Sequence, residues 1–395
     1  MIAEKMKGLV NNNSAIRAMF EEGKRLASIY GKENVFDFSL GNPNVPAPAK
    51  LNDAIKEVLE NEETTYVHGY MSNAGYEDVR GAIASSLNKR FDTDFSEKNI
   101  IMTVGAAGGL NVILKTLINP GDEVIVFDPY FLEYRAYINN YDGVIVEISP
   151  DTTSFMPNLA EFEKKITKNT KAVIINNPNN PTGVVYSEQI IKDMAEILER
   201  KQKEFDTEIY IVSDEPYREL AYDGVEVPYL TKYYANTIVG YSYSKSLSLP
   251  GERIGYIVIP NEMPDYQNVF AAASIANRIL GFVNAPSLIQ RAVAKVLDEQ
   301  TDIAYYDRNR KTLYEGLIKL GFECIKPQGA FYLFVKTPCE EKTFIEMAKK
   351  YNILLVPGTS FACPGYISIA YCVSYETIVN SLPSFAKLAD ECFKK

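Results

Sequence analysis

The chain has 395 residues, 46% of them hydrophobic and 23% charged, with a formal net charge of -10. At about 150 residues per domain, that length predicts two or three domains around a large buried core, and the composition excludes a disordered or fibrous chain. The acidic balance, with no basic block, argues against nucleic acid or an anionic membrane as main partner, and no apolar run reaches the ~18 residues that span a bilayer.

The chain starts MIAEKMKGLV. That segment has no apolar signal core, so the expected location is the cytoplasm. Ser14 to Tyr30 reads as an amphipathic helix, with Ile16, Met19, Phe20 and Leu26 at helical spacing and Gly31 as its stop. Tyr76 to Phe91 reads as another. Short apolar strands then recur at Glu123–Phe127, Ala172–Ile175, Ile209–Val212, Thr237–Gly240 and Ile254–Ile259. Strands alternating with helices predict an α/β fold. Three of these runs stop at a polar cluster: DPYFLEY at 128–134, NNPNNPTG at 176–183 and SDEPY at 213–217. Ligands in open parallel sheets bind beyond the carboxyl ends of strands, so the three clusters are expected to converge on one site. Past about residue 290 the pattern changes. One long helical stretch, Pro286 to Leu320, precedes GAFYLFV at 329–335, a helix near 342–351, a strand at 366–373 and a final helix. This predicts a smaller α+β domain.

Residue counts remove whole reaction classes. The one histidine, His68, excludes a two-His zinc site within one chain, and leaves Ser-His or Cys-His catalysis only if His68 is the base. The five cysteines, Cys324, Cys339, Cys363, Cys372 and Cys392, form no CxxC pair and read as scattered reduced thiols. No metal site is expected. Chemistry is therefore expected from Lys, Asp, Tyr or a cofactor.

Lys245 lies in YSYSKSLSLPGERIGY at 241–256, after an apolar strand and among Ser242, Ser244, Ser246 and Ser248. Most lysines are surface residues, but at a strand end this one suits a Schiff base. Arg253, eight residues on, adds a guanidinium fork that with the hydroxyls could hold a phosphate. Asp214 stands just beyond the run Ile209–Val212, where a carboxylate is costly unless it is partnered. A salt bridge or a helix cap would serve, and so would a cationic ring nitrogen. Tyr217 could donate to a phenolate oxygen, although it is one of 27 tyrosines. Asn, Pro and Gly make turns, yet the ordered string NPNNPTG also fixes an Asn amide at a strand end. The run TVGAAGGLNVILKTL at 103–117 is a small-residue loop opening a helix, whose free N–H groups would bind an anion; it is neither a dinucleotide fingerprint nor a P-loop. Phe131 offers either core packing or a platform for a flat ring.

Together these strings resemble the class I/II pyridoxal-phosphate aminotransferases of the aspartate aminotransferase fold, over nearly all 395 residues. The matching strings are GNP at 41–43, Tyr70 with Gly75 and Arg80, the 105–109 loop, DPYFLEY, NPNNPTG, SDEPY, SYSK and GERIGY. The resemblance implies a large domain, residues 46–289, with a mostly parallel seven-stranded sheet flanked by helices. It implies a small α+β domain from residues 1–45 together with 290–395. It also implies pyridoxal 5'-phosphate as cofactor and a homodimer with shared active sites. By position, Lys245 would be the Schiff-base lysine and proton carrier. Asp214 would keep the ring nitrogen protonated, and Asn180 with Tyr217 would bond the ring hydroxyl. Gly105, Ala106 and Ala107 would offer backbone N–H groups to the phosphate, joined by Ser242 and Arg253. Phe131 would stack on the ring, Tyr70 would reach the phosphate of the neighbouring subunit, and Gly41 would touch the substrate carboxylate.

One position departs from the pattern. In YISIAYCVSYE at 366–376, Ser368 stands where the family carries an arginine for the substrate carboxylate. A charge-assisted hydrogen bond contributes about 1.5–3 kcal/mol, so the change is expected to weaken ordinary amino-acid substrates. Three explanations are open: another arginine, with Arg278 best placed, substitutes; the substrate or reaction differs, as in a carbon–sulfur lyase; or Ser368 is a lesion. The expected activity is transfer of an amino group from an amino acid to a 2-oxo acid by a ping-pong mechanism, with the lyase as alternative.

Overall fold

The computed structural model describes residues 2–11 and 15–393. Seven strands form its main sheet: β1 (Ile100–Thr103), β2 (Glu123–Phe127), β3 (Val144–Ile148), β4 (Thr170–Asn176), β5 (Tyr210–Asp214), β6 (Thr237–Ser242) and β7 (Gly255–Val258). Their order is β1-β7-β6-β5-β4-β2-β3. Strand β7 runs antiparallel to both neighbours, and every other pairing is parallel. Every residue of β1, β5, β6 and β7 is buried. That explains their uninterrupted apolar runs, because helices cover both faces of a parallel sheet and leave no solvent side to alternate toward. The expected α/β class is what the chain adopts. Two of the seven strands, β1 and β3, were not anticipated: β1 merges in sequence with the small-residue loop after it, and β3 is partly exposed.

A second sheet of four antiparallel strands is built from Val356–Pro357, Tyr366–Ala370, Tyr332–Lys336 and Glu323–Cys324. Phe36–Asp37 pairs in parallel with Ile353–Leu354, which ties the amino-terminal segment to this part of the molecule. Its core gathers Phe38, Tyr306, Phe331, Leu333, Phe344 and Phe385.

The expected helix from Ser14 is seen as Ala15–Tyr30, Ser14 itself lying outside the described residues. The long helix expected over Pro286 to Leu320 is two helices, Ser287–Ala294 and Ile303–Lys319. Tertiary contacts make the break: Thr301 N donates to Ser246 O at 2.9 Å, and Asp302 then caps the second helix. Residues 285, 289, 292, 293 and 296 pack with Ile100, Met102 and Val258 of the main sheet. Among the described residues no helix is long and apolar enough to cross a membrane.

Candidate active site

Asn176, Asp214 and Ser242 are the last residues of β4, β5 and β6, and all three line one cavity of about 300 Å3. Parallel register places them side by side: Asn176 pairs with Asp214, and Asp214 with Gly240. Asn176 bridges two of the polar clusters. Its Nδ2 donates to Asp214 O at 2.9 Å, and its Oδ1 accepts from Asn180 N at 2.7 Å.

Asp214 is buried. The Tyr134 hydroxyl donates to its Oδ2, while Oδ1 has no partner. Burial pushes its carboxyl up to about 7; the Tyr134 bond works against this, and the charge of Glu215 adds to it. A buried carboxylate short of one hydrogen bond suits a cationic N–H donor. Tyr134 reaches it from the helix Glu133–Asn139, and Phe131, just before that helix, meets the Tyr134 ring edge-on with centroids 5.7 Å apart.

Lys245 sits on the one-turn helix Tyr243–Ser246, capped by Ser242, whose Oγ accepts from Ser244 N at 3.1 Å. Its Nζ donates to Gly41 O at 2.8 Å and lies 5.2 Å from the Phe331 ring centroid. Burial brings its ammonium down to about 8; Cys372 opposes that shift, and the positive charge of Arg253 adds to it. A nucleophilic amine is thereby available near neutral pH. Gly41 is required by close approach: a Cβ there would collide with the Tyr332 hydroxyl. That hydroxyl lies 3.0 Å from the Tyr217 hydroxyl.

The other end of the cavity is built for an anion. Helix Gly105–Leu117 starts there without a side-chain cap, so its first N–H groups lack intrahelical partners. Gly105 has φ +74°, and a Cβ on it would stand 2.8 Å from Arg253 Nη2. The guanidinium is held by Pro250 O at 2.7 Å. The Ser242 and Ser244 hydroxyls lie 2.7 Å apart.

Eleven of the anticipated residues therefore share one cavity: Gly41, Ala106, Ala107, Phe131, Asn180, Asp214, Tyr217, Ser242, Lys245, Arg253 and Ser368. Gly105 adjoins it through Arg253. Tyr70 does not line it and is 95% exposed. Arg278 is exposed on the helix Tyr266–Ile279 and does not line it either. Nor does His68, which is exposed after the helix Thr64–Val67. Ser368 is 3% exposed, pairs with Phe334 and Val356, and lines the cavity. The last arginine, Arg310, is committed elsewhere, bonded to Asp307 and Asp223. Two contributors had not been singled out. Tyr134 carried a signal, since it falls three residues after Phe131, close to one helical turn. Tyr332 carried none, because its place depends on how the second sheet meets the first. Among the described residues no cluster suits a metal ion.

The family described as aminotransferase class I and II matches residues 33–382. An aspartate aminotransferase of Pyrococcus horikoshii is 30% identical over 98% of this chain and 96% of its own length. Among solved structures, an amino transferase from Eubacterium rectale shares 46% identity at a TM-score of 0.97, covering 100% of this chain and 99% of that one. An aspartate aminotransferase from Thermotoga maritima shares 26% identity at a TM-score of 0.88, covering 98% and 100%. Likeness in sequence and in three dimensions runs over nearly the whole chain, and the chain belongs to the class I and II aminotransferases.

Proposed function

We propose that this aminotransferase works with pyridoxal 5'-phosphate, held in the cavity described above, and moves an amino group from an amino acid to a 2-oxo acid in two half-reactions. The observation that carries the reading is one juxtaposition. A lysine amine with a depressed pKa and a buried carboxylate with an unpartnered oxygen line the same cavity, with an uncapped helix start at its far end. The residues fit the cofactor: Asp214 Oδ1 suits a protonated ring nitrogen, Asn180 and Tyr217 suit a ring hydroxyl, and Gly105, Ala106, Ala107, Ser242 and Arg253 suit a phosphate. Bound there, the cofactor supplies an aldehyde for the amine and a ring that withdraws electrons from the substrate α-carbon.

The chain's own residues do the rest. Lys245 would offer its amine to the aldehyde and, once free of it, would carry a proton to and from the substrate α-carbon. Its bond to Gly41 O marks where the amine rests before reaction. Asp214, steadied by Tyr134, holds the proton on the ring nitrogen. Phe131, which lines the cavity, would offer a flat platform to the ring. Gly41 and Ser368 border the substrate. The relatives reported above are aminotransferases, which favours transfer over the lyase alternative.

We further read the working unit as a cytoplasmic homodimer. Tyr70, almost fully exposed in one chain, would complete the phosphate site of a second. We read residues 46–289 as the cofactor-binding part and 1–45 with 290–395 as the smaller part. The test is an absorbance spectrum of the protein with pyridoxal phosphate, followed through additions of single amino acids without a 2-oxo acid. A visible band that depends on Lys245 and is bleached by an amino acid supports the reading. No such band, or an equal band in Lys245→Ala, overturns it.

A further inference from the structure

We propose that Tyr332 is a positioning residue of this site: its hydroxyl donates to the Tyr217 oxygen and so turns the Tyr217 hydrogen toward the ring oxygen of the cofactor. The proposal rests on the cofactor reading above. The two hydroxyl oxygens lie 3.0 Å apart, both side chains are buried, and both line the same cavity. Burial pushes both phenols above their ordinary range, so each keeps one hydrogen to give. Among the described residues the Tyr332 hydroxyl has one hydrogen-bond partner, Tyr217. Its hydrogen therefore goes to the Tyr217 oxygen, and the Tyr217 hydrogen is left for another acceptor in the cavity.

Several contacts hold the two hydroxyls in register. Tyr332 opens the strand Tyr332–Lys336 of the second sheet, and Phe331 precedes it. The Phe331 and Tyr332 rings meet Tyr217 edge-on, with centroids 5.4 and 5.8 Å away. The backbones beside them are tied together: Ala330 N donates to Leu220 O at 2.9 Å, and the Tyr222 hydroxyl donates to Ala330 O at 2.6 Å. Gln328 N and Gly329 N both donate to Gly183 O, the last residue of NPNNPTG, at 2.8 and 2.9 Å. Gly41 leaves the room. Any Cβ there would collide with the Tyr332 hydroxyl, and the Gly41 carbonyl oxygen holds Lys245 Nζ.

A hydroxyl that accepts a hydrogen bond becomes a better donor of its own. Tyr217 strengthened in this way favours negative charge on the ring oxygen, so the visible band formed with Lys245 should lose its bound proton at lower pH. The other titratable groups facing the pair are Lys245, Asp214 and Cys372. Tyr332→Phe leaves all three in place, keeps the ring and removes one hydroxyl.

The test is a pH titration of the visible spectrum of the holoenzyme and its variants. Tyr332→Phe is expected to raise the midpoint by about half to one pH unit, the size of one hydrogen bond. Tyr217→Phe is expected to raise it at least as far. The double variant is expected to go no further than Tyr217→Phe alone, because Tyr332 acts through Tyr217. An unchanged or lowered midpoint in Tyr332→Phe overturns the proposal, and so does additivity in the double variant. A merely structural role for Tyr332 would lower Tm and leave the midpoint in place, which is the same refutation. If Tyr332→Phe does not fold, a ring-fluorinated tyrosine placed at 332 is the second arm, being close in size and a stronger donor. A lowered midpoint there supports the proposal, and an unmoved or raised one overturns it. The two readings fail separately. A missing Lys245-dependent band sinks the assigned function, whereas a normal band whose midpoint ignores Tyr332 sinks only this inference.

Discussion

The Tyr134 hydroxyl donates to Asp214 Oδ2 and leaves Oδ1 of the same carboxylate without a partner. Tyr134 thus takes one acceptor and aims the other. Removing its hydroxyl removes the interaction that holds the Asp214 pKa down against burial. Tyr134→Phe is expected to raise that pKa and weaken cofactor binding about 10-fold, at a loss of about 1.5 kcal/mol. Asp214→Asn, which cannot keep the ring nitrogen protonated, is expected to lower kcat/KM by 100-fold or more, roughly the effect of losing a charge at the reacting centre. Cofactor titration and steady-state kinetics of the two variants check the order.

Lys245 titrates near 8 rather than near 10.5. Capture of pyridoxal phosphate by cofactor-free protein needs the neutral amine. The capture rate is expected to rise with pH and level off above about 8. Arg253→Gln, which removes a nearby positive charge, is expected to move that midpoint upward and to weaken cofactor binding. Stopped-flow absorbance across pH 6–10 reads both; a midpoint near the ordinary lysine value would contradict the burial seen here.

Stability should follow the buried carboxylate. The folded pKa of Asp214 is raised to about 7 from 3.8. The folded state therefore holds more protons than the unfolded state between those values. This contribution is fully present below about 4 and is lost as pH rises through about 7. Cofactor-free protein is expected to lose Tm between pH 5 and pH 8, with a shallower loss in Asp214→Asn. Asp128, also raised to about 7 by burial, contributes in the same direction and accounts for the slope that remains. Differential scanning calorimetry of both proteins measures the difference.

Gly105 is bound by two constraints at once, φ +74° and the Arg253 guanidinium 2.8 Å from any Cβ. Gly105→Ala is expected to cost about 1–2 kcal/mol of stability from the backbone alone and to displace Arg253 from the phosphate end. Free phosphate should then compete less well with cofactor binding in the variant, and urea unfolding reads the stability term.

Tyr70 makes an opposite case. At 95% exposure it contributes little to the stability of one chain. Tyr70→Phe is expected to leave Tm unchanged while weakening cofactor binding, if it acts in a neighbouring subunit. Mixed dimers of Tyr70→Phe and Lys245→Ala chains should recover one intact site. No recovery on mixing would remove the shared-site reading.

The sequence by itself determined the class of fold and most of the cofactor half of the site. The reason is local. Lys245, Asp214 and Asn180 each follow an apolar strand within a few residues, and parallel strands bring their carboxyl ends together whatever surrounds them. Buried strands also announce themselves as continuous apolar runs, which is why β2, β4, β5, β6 and β7 were legible. The tertiary structure decided what depends on distant segments meeting. The break between Ser287–Ala294 and Ile303–Lys319 depends on Thr301 meeting Ser246. The place of Tyr332 beside Gly41 and Tyr217 joins residues more than a hundred positions apart. So does the part of the cavity around Ser368, where Phe38, Val356 and Phe361 come from separate segments. Tyrosine and phenylalanine are spread along the whole chain, so no local pattern reveals which of them converge. Side-chain packing between the two sheets selects them, and with them the chemistry of the substrate's end of the cavity.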